Sequence, residues 1–224
     1  MLLSRHIPAV FGLVALASVA GAQTPAETID RASRAFKAAG TVRATFEQTL
    51  NNPLTGNQSK STGELALAQP GKLSLKFSGA GDRVVADGKN LWVYLPSAAP
   101  GQVLKMPAGK SSGVGFDVID DLLTSPRTNF DVADGGAEAI GGRATHAVIL
   151  TPKREGKGIT KARVWVDDES GALRQVVLTQ DTGLERTWRI TSWTPNATLP
   201  KGTFTFEVPS GAKVVDQESF RPGR

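Results

Sequence analysis

From Thr41 onward the hydrophobic residues recur with a period of two, and this alternation constrains the fold more than any other feature. In TVRATFEQTL, residues 41–50, the side chains of Val42, Ala44, Phe46, Gln48 and Leu50 share one face. Thr41, Arg43, Thr45, Glu47 and Thr49 share the other. The run GELALAQPGKLSLKF continues the pattern, with Leu65 and Leu67, then Leu73, Leu75 and Phe77, on one face. Pro70-Gly71 marks a turn between the two halves, and Lys72, Ser74, Lys76 and Ser78 are expected to face outward. Such alternation belongs to antiparallel strands with one buried face. Strand-like runs recur at 128–133, 144–151, 159–167, 173–180, 185–193 and 203–208. Turn signals such as Gly141-Gly142, Glu169-Ser170-Gly171 and Asp181-Thr182-Gly183 separate them. The total is about eleven short strands, best accommodated by one curved antiparallel sheet, with a closed barrel as second choice.

Two segments break the period. Residues 24–39 read as a helix: Thr24 as N-cap, Pro25 in the first turn and Glu27 completing a capping box. Its narrow apolar face is Ile29, Ala32, Ser33 and Phe36, and Gly40 ends it. Its small residues predict close packing against the sheet. Residues 114–125 form a second, shorter amphipathic segment, with Phe116, Ile119, Leu122 and Leu123 on one face and Asp117, Asp120 and Asp121 opposite. Pro126 closes it. Both helices are expected on the concave side of the sheet.

The stretch DRVVADGKNLWVYLP poses a packing problem. Asp87-Gly88 is a strong hairpin signal, and a two-residue turn there would set Val84 opposite Leu91. Leu91 and Val93 then point one way, Trp92 and Tyr94 the other. Both faces of this hairpin therefore need an apolar covering.

At the start of the chain, Arg5 precedes an apolar run from Ile7 to Val19 and the small-residue site Ala20-Gly21-Ala22. This reads as a cleaved signal peptide over residues 1–22, leaving residues 23–224 as a single exported, periplasmic domain. The apolar run is shorter than the 20 or so residues of a membrane span. With no cysteine anywhere, disulfides and a lipid anchor are both excluded. A net charge of +5, less one for Arg5, is an ordinary solubility charge and gives no nucleic-acid footprint.

Catalytic signals are poor. His146, in RATHAVIL, is the one histidine outside the leader, and no serine or cysteine nucleophile sits in a recognisable elbow. With one histidine and no cysteine, no zinc site is expected, nor any cofactor. Asp120-Asp121 and Asp167-Asp168-Glu169 fit a solvated helix face and a turn better than a glycosidase pair. GVGF and Gly135-Gly136 lack the lysine, serine and following helix of a phosphate loop and read as loops. The basic run TPKREGKGITKAR reads as a solvated hairpin, with anionic headgroups or a partner as the alternative. The composition thus points away from an enzyme. What remains is an excess of apolar surface, which either fills the curved sheet or lines a cavity for an apolar ligand.

The segments ATFEQTL, STGELALAQPGKLSLKF, VVADGKNLWVYLPSAAPGQV and FTFEVPSGAKVVD resemble the LolA family in order and rough spacing. The resemblance covers residues 25–216. Its most specific parts are the Asp-Gly hairpin and the closing Phe204, Phe206, Pro209 and Gly211. It implies an open antiparallel half-barrel with helices as a lid over a hydrophobic cavity that takes the acyl chains of lipoproteins. By the same resemblance Phe46, Leu65, Leu67, Leu73, Leu75, Phe77, Leu91 and Val93 are cavity candidates, and Phe116, Ile119, Leu122 and Leu123 lid candidates. It further implies a monomer loaded by an inner-membrane LolCDE-type ABC transporter and unloaded onto an outer-membrane LolB-like acceptor or a substitute. At the position before the second turn's proline the family usually has an arginine that holds the lid closed; here it is Gln69. A neutral amide lacks the charge and the fork of a guanidinium. Two other readings stay open: a lipid-binding or envelope-sensing module of the same half-barrel type, and a hydrolase, which lacks its nucleophile.

Overall fold

In the computed structural model, residues 23–108, 116–156 and 158–216 are described. The expected leader, GVG of the GVGF motif and Lys157 of the basic run lie outside them. The chain runs α1 (Pro25–Ala38), β1 (Thr41–Asn52), β2 (Asn57–Ala68), β3 (Lys72–Phe77), β4 (Arg83–Asp87), β5 (Asn90–Tyr94) and β6 (Gln102–Pro107). It continues through α2 (Phe116–Thr124), α3 (Pro126–Asn129), β7 (Phe130–Ile140), β8 (Arg143–Pro152), β9 (Ile159–Asp167), β10 (Leu173–Gln180), β11 (Glu185–Pro195) and β12 (Lys213–Asp216). The strands form one twelve-stranded sheet in the order β12-β6-β5-β4-β3-β2-β1-β11-β10-β9-β8-β7. Its two ends, β12 and β7, do not pair, so the sheet stays open. Every pairing is antiparallel except β12 on β6.

Helix α1 starts as its sequence dictates. Thr24 and Glu27 exchange hydrogen bonds in a full capping box, and Ile29, Ala32, Ser33 and Phe36 are buried. Ile29, Ala32 and Phe36 join the inward residues of the strands in one core with Val118, Leu122 and Leu123 of α2. Arg31 reaches Asp168 at 3.3 Å and Arg127 of α3 reaches Asp30 at 2.9 Å. Exposed pairs of this kind orient the helix more than they stabilise it.

The β9–β10 turn encloses a buried carboxylate. The Asp167 side chain is only 1 % exposed, and it accepts bonds from Arg143 Nε at 2.8 Å and Arg174 Nε at 2.9 Å. The Ser170 amide donates to the same group at 2.8 Å. The Arg143 guanidinium, with the other donors, holds the acid far below the ordinary carboxylate range. Turn chemistry was the expected role of this acidic cluster, and Asp167 performs it buried, not solvated.

Several expectations are corrected. The β4–β5 pairing places Val84 opposite Val93 and Ala86 opposite Leu91, two residues away from the expected register. The turn is made by Gly88-Lys89, with positive φ at Gly88 alone, as a II′ turn needs. The Asp87 carboxylate fixes it by accepting the Lys89 and Asn90 amides at 2.8 and 2.7 Å. A slip of two leaves each side chain on its original face. Gly135-Gly136 is not a loop but lies within β7, where the pairing to β8 is bulged. Pro126 ends α2 and also begins the short helix α3.

The last correction answers the hairpin problem. Residues 203–208 are not a strand; they lie in an irregular segment on the convex side. The Phe206 ring stacks on Trp92 with centroids 5.4 Å apart and planes 9° from parallel. The Arg83 guanidinium sits 4.7 Å over the same ring and donates to the Glu207 carbonyl oxygen at 3.1 Å. Higher up, Leu199, Pro200 and Thr203 border a space shared with Ser74, which is buried and not exposed as its outward position implied. Thus Leu91 and Val93 face the core, while the C-terminal segment covers Trp92.

Candidate functional site

The curl of the sheet brings the inward residues of β1, β2, β3, β10 and β11 around a common axis. Between them and α2 lies a cavity of about 50 Å³ bounded entirely by hydrophobic residues. Phe46, Leu65, Leu67, Leu73 and Leu75 form one wall. Leu173, Val176, Trp188, Ile190 and Trp193 form the other, and Ile119 and Leu123 of α2 the roof. Such a volume has room for a few water molecules. As it stands, this space is too small for an alkyl chain.

Five of the eight cavity candidates therefore border this space. Phe77 stands behind Phe46, their rings edge to face at 5.5 Å. Leu91 and Val93 are buried further along the same core. The aromatic wall depends on Gly63, which faces Phe46 across the β1–β2 pair. A Cβ there would come within 2.6 Å of the Phe46 ring and 2.4 Å of the Lys76 carbonyl oxygen. Of the roof candidates, Ile119 and Leu123 border the cavity, while Leu122 is buried in the core beside it. The Phe116 side chain lies outside the described residues. Val118, fully buried, belongs to the roof's packing although the 3–4 spacing from Phe116 passed over it. The β10 and β11 contributions were missed as well. Their alternation was legible, but only the register places Trp188 opposite Gln48 and Ile190 opposite Phe46.

Among the described residues, Gln69 bonds to α1 and not to α2. Its side-chain amide donates to the Phe36 carbonyl oxygen in the last turn of α1 at 2.9 Å. The residue thus ties the end of α1 to the β2–β3 turn by one neutral hydrogen bond, to a carbonyl that also accepts the Ala39 amide at 3.2 Å.

The polar candidates elsewhere make contacts within the sheet and its loops. His146 Nε2 meets Asp134 Oδ1 at 2.7 Å beside the β7 bulge, with no nucleophile in the pair. Within the basic run, Lys153 donates to the Arg127 carbonyl oxygen at 2.7 Å, and the Arg163 guanidinium lies 4.4 Å over Trp165. No cluster of histidine or carboxylate side chains suited to a metal occurs among the described residues.

An open, curled antiparallel sheet whose apolar trough is roofed by helices defines a half-barrel of the kind that encloses apolar material. Residues 37–207 match the family model "Outer membrane lipoprotein carrier protein LolA", and the chain belongs to the LolA family. An outer-membrane lipoprotein carrier protein from Dechloromonas aromatica is 29% identical over 208 residues, covering 92% of this chain and 93% of that one. One from Chromobacterium violaceum is 27% identical over 210 residues, covering 91% and 95%. Among solved structures, an uncharacterized conserved protein from Thermus thermophilus shares the fold with a TM-score of 0.56 at 12% identity, over 86% of this chain and 98% of that one.

Proposed function

We propose that this protein is a periplasmic carrier that encloses the acyl chains of lipoproteins and moves them from the inner to the outer membrane. The observation that carries the reading is the wholly hydrophobic cavity beneath α2 in a LolA-family half-barrel. Phe46, Leu65, Leu67, Leu73, Leu75, Phe77, Leu91 and Val93 would contact the chains, and α2 would act as the lid through Phe116, Ile119, Leu122 and Leu123. Residues 1–22 direct export and are removed, and residues 23–224 act as one domain. None of the roles requires catalysis.

Two magnitudes set how such a carrier works. Burying about ten methylenes of a chain is worth around 8 kcal/mol. Withdrawing the buried side chains of Val118, Leu122 and Leu123 from the core costs roughly 5–9 kcal/mol, at about 1.5–3 for each. Cargo and roof therefore compete on nearly equal terms. Net affinity stays moderate, and loading needs an external source of energy, as a LolCDE-type ABC transporter supplies. Delivery then needs only an acceptor of LolB type or a substitute with a better apolar site.

Mass spectrometry of material co-purified from the periplasm tests this reading. Acylated protein bound to the chain is the expected result. Free phospholipid alone would favour a lipid-binding module, and absence of any acylated ligand would refute the carrier.

A further inference from the structure

The concave face holds a cation that the acyl-carrier role leaves unused. Arg186 lies on the same face of β11 as Trp188 and Ile190, in a transverse row that runs Ala162, Leu178, Arg186, Leu50 across four strands. Ala162 and Leu178 are fully buried. The Arg186 guanidinium lies 5.4 Å from the Trp188 ring, and that ring is part of the cavity wall. Nη1 donates to Gln48 Oε1 at 3.1 Å, and Gln48 Nε2 donates in turn to Ser61 Oγ at 3.2 Å. Nε is buried and meets no acceptor. No carboxylate among the described residues pairs with the group.

An arginine in such a place is costly. Burial opposes its charge and lowers its pKa, yet a guanidinium remains protonated. A neutral amide and an aromatic face offset only part of the desolvation. The Nε–Nη2 edge, covered at Nε and without an acceptor there, is the fork that grips a carboxylate or phosphate with two parallel hydrogen bonds once the groups over Nε give way. An anion held there stands next to the cavity wall, so the molecule that satisfies both is an amphiphile with its tail in the trough. Esters and amides, which link acyl chains to proteins, present only neutral carbonyls.

We infer that Arg186, positioned by Gln48 and backed by Ser61, is a head-group site that selects anionic amphiphiles, with a carboxylate or phosphate head and the tail in the trough. The inference rests on the reading of the trough as an acyl-chain site. The test uses residues 23–224 and two fluorescent probes, cis-parinaric acid and its methyl ester, at a pH where the acid is ionised. Wild type should bind the acid about tenfold more tightly than the ester, the value of one charge-assisted contact. In Arg186→Gln the ratio should fall to about one with ester affinity retained, and Arg186→Lys, a charge without the fork, should fall between. Displacement of the acid by phosphatidylglycerol but not by neutral diacylglycerol assigns the head as phosphate. Displacement by oleate alone assigns a carboxylate. An acid-to-ester ratio near one in wild type, or unchanged in Arg186→Gln, overturns the head-group site and leaves the trough reading intact. If neither probe binds wild type, both readings fall. Should Arg186→Gln not fold, the wild-type ratio and the Arg186→Lys ratio decide.

Discussion

Replacing Gln69 by arginine should tighten the roof, and the structure sets how much. The existing bond, from a half-buried amide to the Phe36 carbonyl oxygen at 2.9 Å, is neutral. Bonds of that kind contribute roughly 0.5–1.5 kcal/mol, and those from a charged donor about 1.5–3. The acceptor lies in the last turn of α1, where the helix dipole favours a cation by a further 0.3–1 kcal/mol or so. After the entropy of a longer side chain is subtracted, a gain of about 1 kcal/mol remains. In a domain of this size that raises Tm by about 2–4 °C. If α1 must shift for the trough to open, the same energy lowers affinity for an apolar fluorescent probe about fivefold. Gln69→Ala should move both quantities the opposite way. Calorimetry and probe titration of the three proteins at two salt concentrations measure this. Identical Tm and affinity across the series would refute the claim that this contact secures the roof.

Asp167→Asn should cost about 1.5–3 kcal/mol at neutral pH, since Arg174 loses its charged partner while half-exposed Arg143 keeps Glu169. Because the folded acid titrates below its unfolded value near 3.9, its contribution is complete above about pH 5 and fades as pH falls. Urea unfolding at pH 7 and pH 3 should show the gap between wild type and variant shrinking at the lower pH. Gly63→Ala should destabilise by at least 1–3 kcal/mol, since its methyl meets both the Phe46 ring and backbone; thermal unfolding beside a surface glycine control checks it. Phe206→Ala should cost about 1–2 kcal/mol in lost stacking and burial and deprotect the amides of residues 199–209 in hydrogen exchange. His146→Ala should leave folding and probe binding unchanged, and a hydrolytic turnover lost in that variant would contradict the carrier reading.

The strand faces were legible because alternation survives most local errors. Val42, Ala44, Phe46, Leu73 and Leu75 are all buried as their spacing requires. The hairpin at Gly88 shows the limit: a shift of two residues preserves the faces, so hydrophobic pattern alone cannot choose between registers. The observed turn is held by the Asp87 carboxylate through two backbone contacts that hydrophobic pattern does not register. Residues 203–208 looked like a strand because Phe204 and Phe206 alternate with polar neighbours, and a strip laid across a convex surface produces the same signature. The cavity was legible on the β1–β3 side, where resemblance and periodicity agreed. Its β11 wall depends on a pairing between residues some 140 positions apart, across a bulge at Thr45/Phe46, which no local window contains.

The missing seam between β7 and β12 carries a mechanical consequence. In a closed barrel the radius follows from strand number and stagger, and cannot change without breaking hydrogen bonds. An unjoined sheet is free of that condition. Its curvature can change with each ladder keeping its bonds, because small changes of twist add up across twelve strands. What braces the curl from within is the packing of α1 and α2 in the trough, where Ile29, Phe36, Val118 and Leu122 share one core with the strands. If the protein is the carrier proposed above, an open sheet would let one wall fit tails that differ in number or branching without a different sequence for each.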